Sequence, residues 1–198
     1  MVNIVYVGEC IYTFEGLSEL FSLSFVDRFS ICMLPPFSTK NSGFSASVCI
    51  RKSDVVILYP ECSDLFRYAV LIRSNINSRN CIIVLSTKEV HDLLEIMCGY
   101  TLVFIEVRRE PEYILDVIHK ELTRPSCKIK KKTMMTDSEF RVVIMFRHGL
   151  TPSRIASSLN RSVKTISSHK LNAAKKLGVK NGYLRLPSFN FYHGVRNE

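Results

Sequence analysis

The chain has no apolar run near the ~20 residues that a membrane-spanning helix needs; VVILY and CIIVL are far shorter. Its first residues, MVNIVYVGEC, lack the basic start and long apolar stretch of a secretory signal. No two cysteines form a C-x-x-C pair. Seven are scattered at wide spacing, and an odd, unpatterned set predicts reduced, mostly buried thiols in a reducing cytosol. No glycine-rich phosphate loop follows any strand-like run, which counts against a nucleotide-using enzyme. Repeats and low-complexity tracts are absent. What remains is a globular composition, 46% hydrophobic over 198 residues, enough for one large domain or two small ones with real cores. These absences predict a cytoplasmic chain with no membrane attachment.

Acidic residues are the next scarcity, and it is local. Residues 1–122 hold 11 Lys/Arg against 15 Asp/Glu, a balance of −4, whereas residues 123–198 hold 16 against 3, a balance of +13. The overall +9 therefore hides two modules, one of which is suited to a polyanion. A merely solvated basic surface is the plainer alternative.

The first module alternates short β-branched runs with amphipathic stretches. NIVYV (3–7), FSICML (29–34), DVVILY (54–59), CIIVLS (81–86) and TLVFIEV (101–107) read as buried strands. Helical segments are predicted around 13–24, 45–52, 62–76, 88–98 and 110–122. The second of these is the weakest, because PPFSTKNSGFSASV is mostly loop chemistry. Five β-then-α units imply a five-stranded parallel sheet of flavodoxin-like α/β type, covered on both faces. A linker follows Leu122: TRPSCKIKKKT carries a proline and four lysines and too few periodic apolar residues to pack. The expected organisation is thus a sheet domain over 1–122, a basic linker over 123–133 and a helical domain over 134–198.

The last module is all-α by its punctuation. Thr136 and Glu139 of TDSE form a capping box ahead of the apolar run Phe140 to Phe146, and Gly149 stops that helix. Thr151-Pro152 starts a second, through Ile155, Ala156 and Leu159. Asn160-Arg161 turns the chain, Ser162 caps a third helix, and Gly178 closes it; a short fourth segment begins near Asn181 and meets Pro187. Two short helices around a tight turn describe a helix-turn-helix, whose second helix enters the major groove of double-stranded DNA.

The stretch NRSVKTISSHKLNAAKKLGV holds five Lys/Arg and no acid. Ile166, Ala173 and Leu177 share one face of its helix, with His169 at the margin, and are expected to bury against Ile155 and Leu159. Lys164, Ser167, Ser168, Leu171 and Lys175 follow helical spacing on the opposite face. With Thr165 and Lys170 they make up the expected DNA-contacting set. Small hydroxyls allow close approach to base edges, and lysines neutralise phosphates.

The segment from Met135 to Val179 resembles the DNA-binding domain of the LuxR/FixJ (NarL-type) response regulators. Their pattern is met by Met135, Thr136, Glu139, Gly149, Thr151, Ile155, Ala156, Leu159, Ser162, Thr165, Ile166, His169, Asn172, Lys176, Leu177, Gly178 and Val179. LNRSVKTISSHK is most similar to the Rcs capsule-synthesis regulators of enterobacteria and their auxiliary relatives. The chain departs from the pattern at Ser138, Pro152 and Pro187, the last of which shortens the fourth helix, the family's pairing element.

The resemblance implies that the first module is a receiver. Receivers need an acidic pair after the first strand for Mg²⁺, an Asp ending the third as phosphoacceptor, and a Lys after the fifth. Here the first strand runs into Gly8-Glu9, the third ends at Tyr59-Pro60 with no Asp over 55–63, and the fifth runs to Val107-Arg108. Ser86 alone is retained after strand four. A degenerate, unphosphorylated receiver is implied, with no cofactor and no metal. The function expected is a DNA-binding transcription regulator in the bacterial cytoplasm, associated with the nucleoid, acting as a homodimer or as a heterodimer with an Rcs-type response regulator. A conventional phosphorylation-controlled regulator and a flavodoxin-like enzyme are the alternatives. His169 is expected to pack, Glu9 and Glu61 to be loop acids, and Cys127, beside the linker lysines, to be the cysteine best placed to react.

Overall fold

The computed structural model describes residues 2–24, 29–34, 55–60, 65–75, 80–123 and 133–179. Five strands come first: β1 (Val2–Val7), β2 (Phe29–Leu34), β3 (Val55–Leu58), β4 (Cys81–Ser86) and β5 (Val103–Glu106). Helices α1 (Ile11–Ser24), α2 (Leu65–Asn75), α3 (Lys88–Cys98) and α4 (Pro111–Thr123) alternate with them. All pairings are parallel, in the order β2-β1-β3-β4-β5, with neighbouring strands in register from Ile4 opposite Val55 to Ser86 opposite Glu106. The expected helix over 45–52 lies outside the described residues, as do most of the linker, Glu61, Cys127 and the segment from Asn181 onward.

Period-two alternation sends successive side chains to opposite faces of the sheet. Ile4, Tyr6, Val55, Ile57, Ile83, Leu85 and Ile105 join Leu17 and Phe21 of α1 and Ile118 of α4 in one core. Val5, Val7, Val56, Leu58, Ile82 and Val84 face α2 and α3 in the other. Both faces are covered, which explains why the strands read as continuous apolar runs. The cysteines depart from the expectation of burial: Cys98 is buried, Cys10 and Cys81 are half-buried, and Cys32 is exposed. Cys32 lies on the edge strand β2, which pairs only with β1 among the described residues.

Three further helices follow, α5 (Asp137–Arg147), α6 (Pro152–Ser158) and α7 (Val163–Lys176). The second sheet core does not stop at α2 and α3. Met135, Phe140, Val143, Ala173 and Ala174 belong to it, so α5 and α7 close against the sheet unit's outer helices.

Arg73 of α2 pins this joint. Its Nε donates to the Met97 carbonyl at 2.8 Å and its Nη2 to the Met135 carbonyl at 2.8 Å. A further N–H meets the Asp137 carboxylate, and the guanidinium carbon lies 4.4 Å from the Phe140 ring centroid. Burial lowers the Arg73 pKa, with Asp137 opposing the shift. A Cβ on Gly99 would sit 3.0 Å from Arg73 Nη2 and 3.1 Å from the Met135 carbonyl, and its φ is +80°. Only glycine takes that backbone conformation without strain at such close approach. The Met135 N–H completes the joint by donating to the Ile96 carbonyl at 2.8 Å.

Arg73→Met is expected to leave the Met97 and Met135 carbonyls short of a partner, at roughly 1–3 kcal/mol each. Urea unfolding should show a midpoint well below wild type. Arg73→Lys should not restore it, because one ammonium cannot reproduce a planar fork. An unchanged midpoint in Arg73→Met would show that the joint does not depend on Arg73, and one in Arg73→Lys that it does not depend on the fork.

Candidate nucleic-acid interface

The helix-turn-helix is built by its caps. Thr136 Oγ1 accepts from the Glu139 N–H at 3.2 Å, and Glu139 Oε2 accepts from the Thr136 N–H at 2.8 Å, a reciprocal pair that fixes the start of α5. Gly149, at φ +77°, reverses the chain toward Thr151, whose hydroxyl accepts from the Arg154 N–H at 3.4 Å. Pro152 takes the first position of α6, where the lack of an N–H costs nothing. Asn160 makes the turn into α7 with a left-handed φ of 49°, a conformation asparagine tolerates better than most side chains. Ser162 Oγ then accepts from the Thr165 N–H at 3.1 Å.

Val142, Ile155, Ala156 and Ile166 form the small core where α5, α6 and α7 meet, with Leu150 and Leu159 packed against it. The expectation that Ala173 and Leu177 join Ile166 over Ile155 and Leu159 needs correcting. Ala173, with Leu177 beside it, belongs to the larger core shared with α2 and α3. The apolar side of α7 is therefore divided between two cores.

A buried ion pair ties the two ends of the unit together. Glu139, 4% exposed, receives the Lys176 ammonium at 2.7 Å, which also donates to the Met134 carbonyl at 2.8 Å. Burial raises the Glu139 pKa, but the bonds from Lys176 and from the Thr136 N–H more than offset this, and the net shift is downward. Lys176 is thereby committed to the fold and does not reach outward.

Of the seven residues expected at DNA, Lys164, Ser167, Ser168, Leu171 and Lys175 are all exposed on one side of α7. Thr165 is half-buried, its hydroxyl 2.9 Å from Ser162 Oγ in the cap. Lys170 is also half-buried, its ammonium 4.9 Å from the Phe146 ring centroid. The Ser168 hydroxyl donates to the Lys164 carbonyl at 3.0 Å, so its lone pairs are what it turns outward. His169 is half-buried, in keeping with its position at the margin of the apolar face. Asn172, one turn beyond Ser168 and exposed, belongs to the same face but stood outside the expected set; helical spacing alone pointed to it. Arg161, exposed in the turn before α7, adds a cation at the helix entrance.

Residues 133–183 match the family of bacterial regulatory proteins, luxR family (GerE). The C-terminal unit is a LuxR-type helix-turn-helix domain. Over 47 residues the chain is 47% identical to the transcriptional regulatory protein RcsB of Escherichia coli K12. It is 31% identical over 67 residues to the uncharacterized response regulatory protein YgeK of the same organism. The first match covers 24% of this chain and 22% of RcsB, the second 34% and 46%, so the chain spans about a fifth and a half of these relatives. The structure of RcsB from Salmonella enterica serovar Typhimurium bound to the promoter rprA aligns over 91% of this chain and 95% of that one, at 18% identity and a TM-score of 0.46. Helix α7 of the LuxR-type domain is the element that presents the basic, acid-free face.

At the carboxyl ends of the strands the chemistry is different. Tyr6 is fully buried and its hydroxyl donates to the Cys10 carbonyl at 3.0 Å. A Cβ on Gly8 would fall 2.6 Å from that hydroxyl and 3.1 Å from Tyr59 Cβ. Tyr59 donates its N–H to the Val7 carbonyl at 3.0 Å. Glu9 is exposed, Ser86 is buried with its hydroxyl on the Thr87 carbonyl at 3.0 Å, and Glu106 meets Arg109 at 3.3 Å. Among the described residues, no group of three or more His, Cys, Asp and Glu converges to hold a metal ion. No helix among them is long and apolar enough to cross a membrane.

The depressed Glu139 pKa has a defined sign. Its carboxylate stabilises the fold above the ordinary value of 4.5, and that contribution is lost as pH falls through the lower folded value. Glu139→Gln is expected to cost about 1.5–3 kcal/mol at neutral pH. The gap to wild type should close as the pH is taken below 4.5, measured by denaturant unfolding across that range.

Proposed function

We propose that this chain is a sequence-specific, DNA-binding transcriptional regulator, reading the major groove with α7. The observation that carries this reading is the exposed face of Lys164, Ser167, Ser168, Leu171, Asn172 and Lys175, acid-free along its length and mounted in a LuxR-type domain. Lysines on such a face neutralise phosphates, and the short hydroxyls between them let base edges come close. Lone pairs on Ser168 suit an amino group of adenine or cytosine. The relative RcsB is a transcriptional regulatory protein, which supports the same role here, in a bacterial cytoplasm and on the nucleoid. The organisation that goes with it is a receiver-like unit over 1–122, a basic linker over 123–133 and the DNA-reading unit over 134–198.

The receiver-like unit, in this reading, takes no phosphate and serves protein pairing. Support comes from Tyr59-Pro60 standing where receivers carry their phosphoacceptor, and from Glu9 as the lone acid after β1. The partner proposed is an Rcs-type response regulator, because the α7 sequence is of that type and adjacent half-sites raise the effective concentration of the second chain. The reading includes no catalytic role.

Lys164→Ala is expected to weaken binding to all duplexes alike and to flatten the slope of log K against log salt by about 1. A slope equal to wild type would remove Lys164 from the phosphate contacts. Incubation with acetyl phosphate and Mg²⁺ is expected to leave the intact mass unshifted. At equal total protein, duplex binding should strengthen when an Rcs-type regulator is added. A stoichiometric phosphate adduct on 1–122, or tight binding indifferent to the partner, would overturn this account of the receiver-like unit.

A further inference from the structure

Leu171 is 58% exposed in the middle of a helix whose apolar stripe, Ile166, Ala173 and Ala174, is at most 2% exposed. It points away from both cores. Its neighbours on the outer face are Ser167 one turn before it, Ser168, Asn172 and Lys175, so the isobutyl group stands above small polar side chains with cations beyond. Such a leucine gains nothing from water, and a face so charged is complementary to a polyanion. Among the groups that the floor of the major groove presents, the apolar one is the C5-methyl of thymine.

We infer that Leu171 packs on the C5-methyl group of a thymine in each half-site and makes that base pair a fixed position of the recognised sequence. The inference rests on the reading of α7 as the DNA-contacting helix and adds what that helix selects. Ser167 and Ser168 are short enough to let the base edge reach the leucine. Lys164 and Lys175, on either side along the helix, hold the backbone without choosing among bases.

The test uses the 198-residue chain at micromolar concentration and a random-sequence duplex library. From the enriched duplex, each thymine is replaced singly by deoxyuridine, which removes the methyl group and leaves the hydrogen-bonding edge intact. One position per half-site is expected to weaken wild-type binding about fourfold, the equivalent of the ~0.8 kcal/mol that burial of one methyl-sized group contributes. Leu171→Ala should bind the parent duplex about that much more weakly and be indifferent to the same replacement, whereas Lys164→Ala should keep the full methyl dependence. If an enriched sequence emerges but no uracil weakens binding, the inference falls and the DNA reading stands. The inference falls in the same way if Leu171→Ala retains the methyl dependence, which would make the leucine a packing or pairing contact. Failure to enrich any sequence would overturn the DNA reading itself and this inference with it.

Discussion

A single guanidinium joins the two halves of the molecule. Arg73 offers a planar fork of donors, and the structure uses them on partners from both sides: the Met97 carbonyl at the end of α3, the Met135 carbonyl just before α5, and the Asp137 carboxylate in its first turn. A cation taken out of water is tolerated only when it is this fully paired. The geometry also dictates its surroundings. Gly99 must be glycine so that Arg73 and the Met135 carbonyl can pass, and the Phe140 ring lies beneath the charge.

That arrangement determines which side of α7 is covered. Ala173 and Ala174 pack inward, small enough to bring the helix close to the shared core, while Lys164, Ser167, Ser168, Leu171 and Lys175 remain outside. The contact with the sheet unit thus lies behind that exposed face and does not obstruct it. Among the described residues, nothing covers that face. This differs in kind from a switch that must first undock, and it suits the proposed receiver-like unit that takes no phosphate.

The sequence disclosed local order more readily than long-range contacts. The capping box at Thr136 and Glu139, the stops at Gly149 and Gly178 and the turn at Asn160 are short-range events between residues a few positions apart, and each lies where its chemistry indicated. The strands were legible because a sheet covered on both faces leaves unbroken β-branched runs. The outward face of α7 followed from its spacing. Arg73 did not, because its partners lie 24 to 64 residues away and an arginine in an amphipathic helix normally reads as solvated. For the same reason Ala173 and Leu177 were assigned to the wrong neighbours: periodicity gives the buried side of a helix but not what buries it. Thr165 and Lys170 fell into the DNA set by type and position, yet a cap and an aromatic ring draw both partly inward.

The division of α7 between two cores also bears on how such a chain can change over generations. Alanines that face α2 and α3 make the posture of α7 hostage to the packing of the sheet unit behind it. A substitution that loosens Leu94 or Ile72 is then felt on the far side of α7, at residues it never touches. The sheet unit must accordingly stay folded for α7 to keep its posture, whereas the strand ends, where Glu9 and Glu106 stand exposed to solvent, carry none of that load.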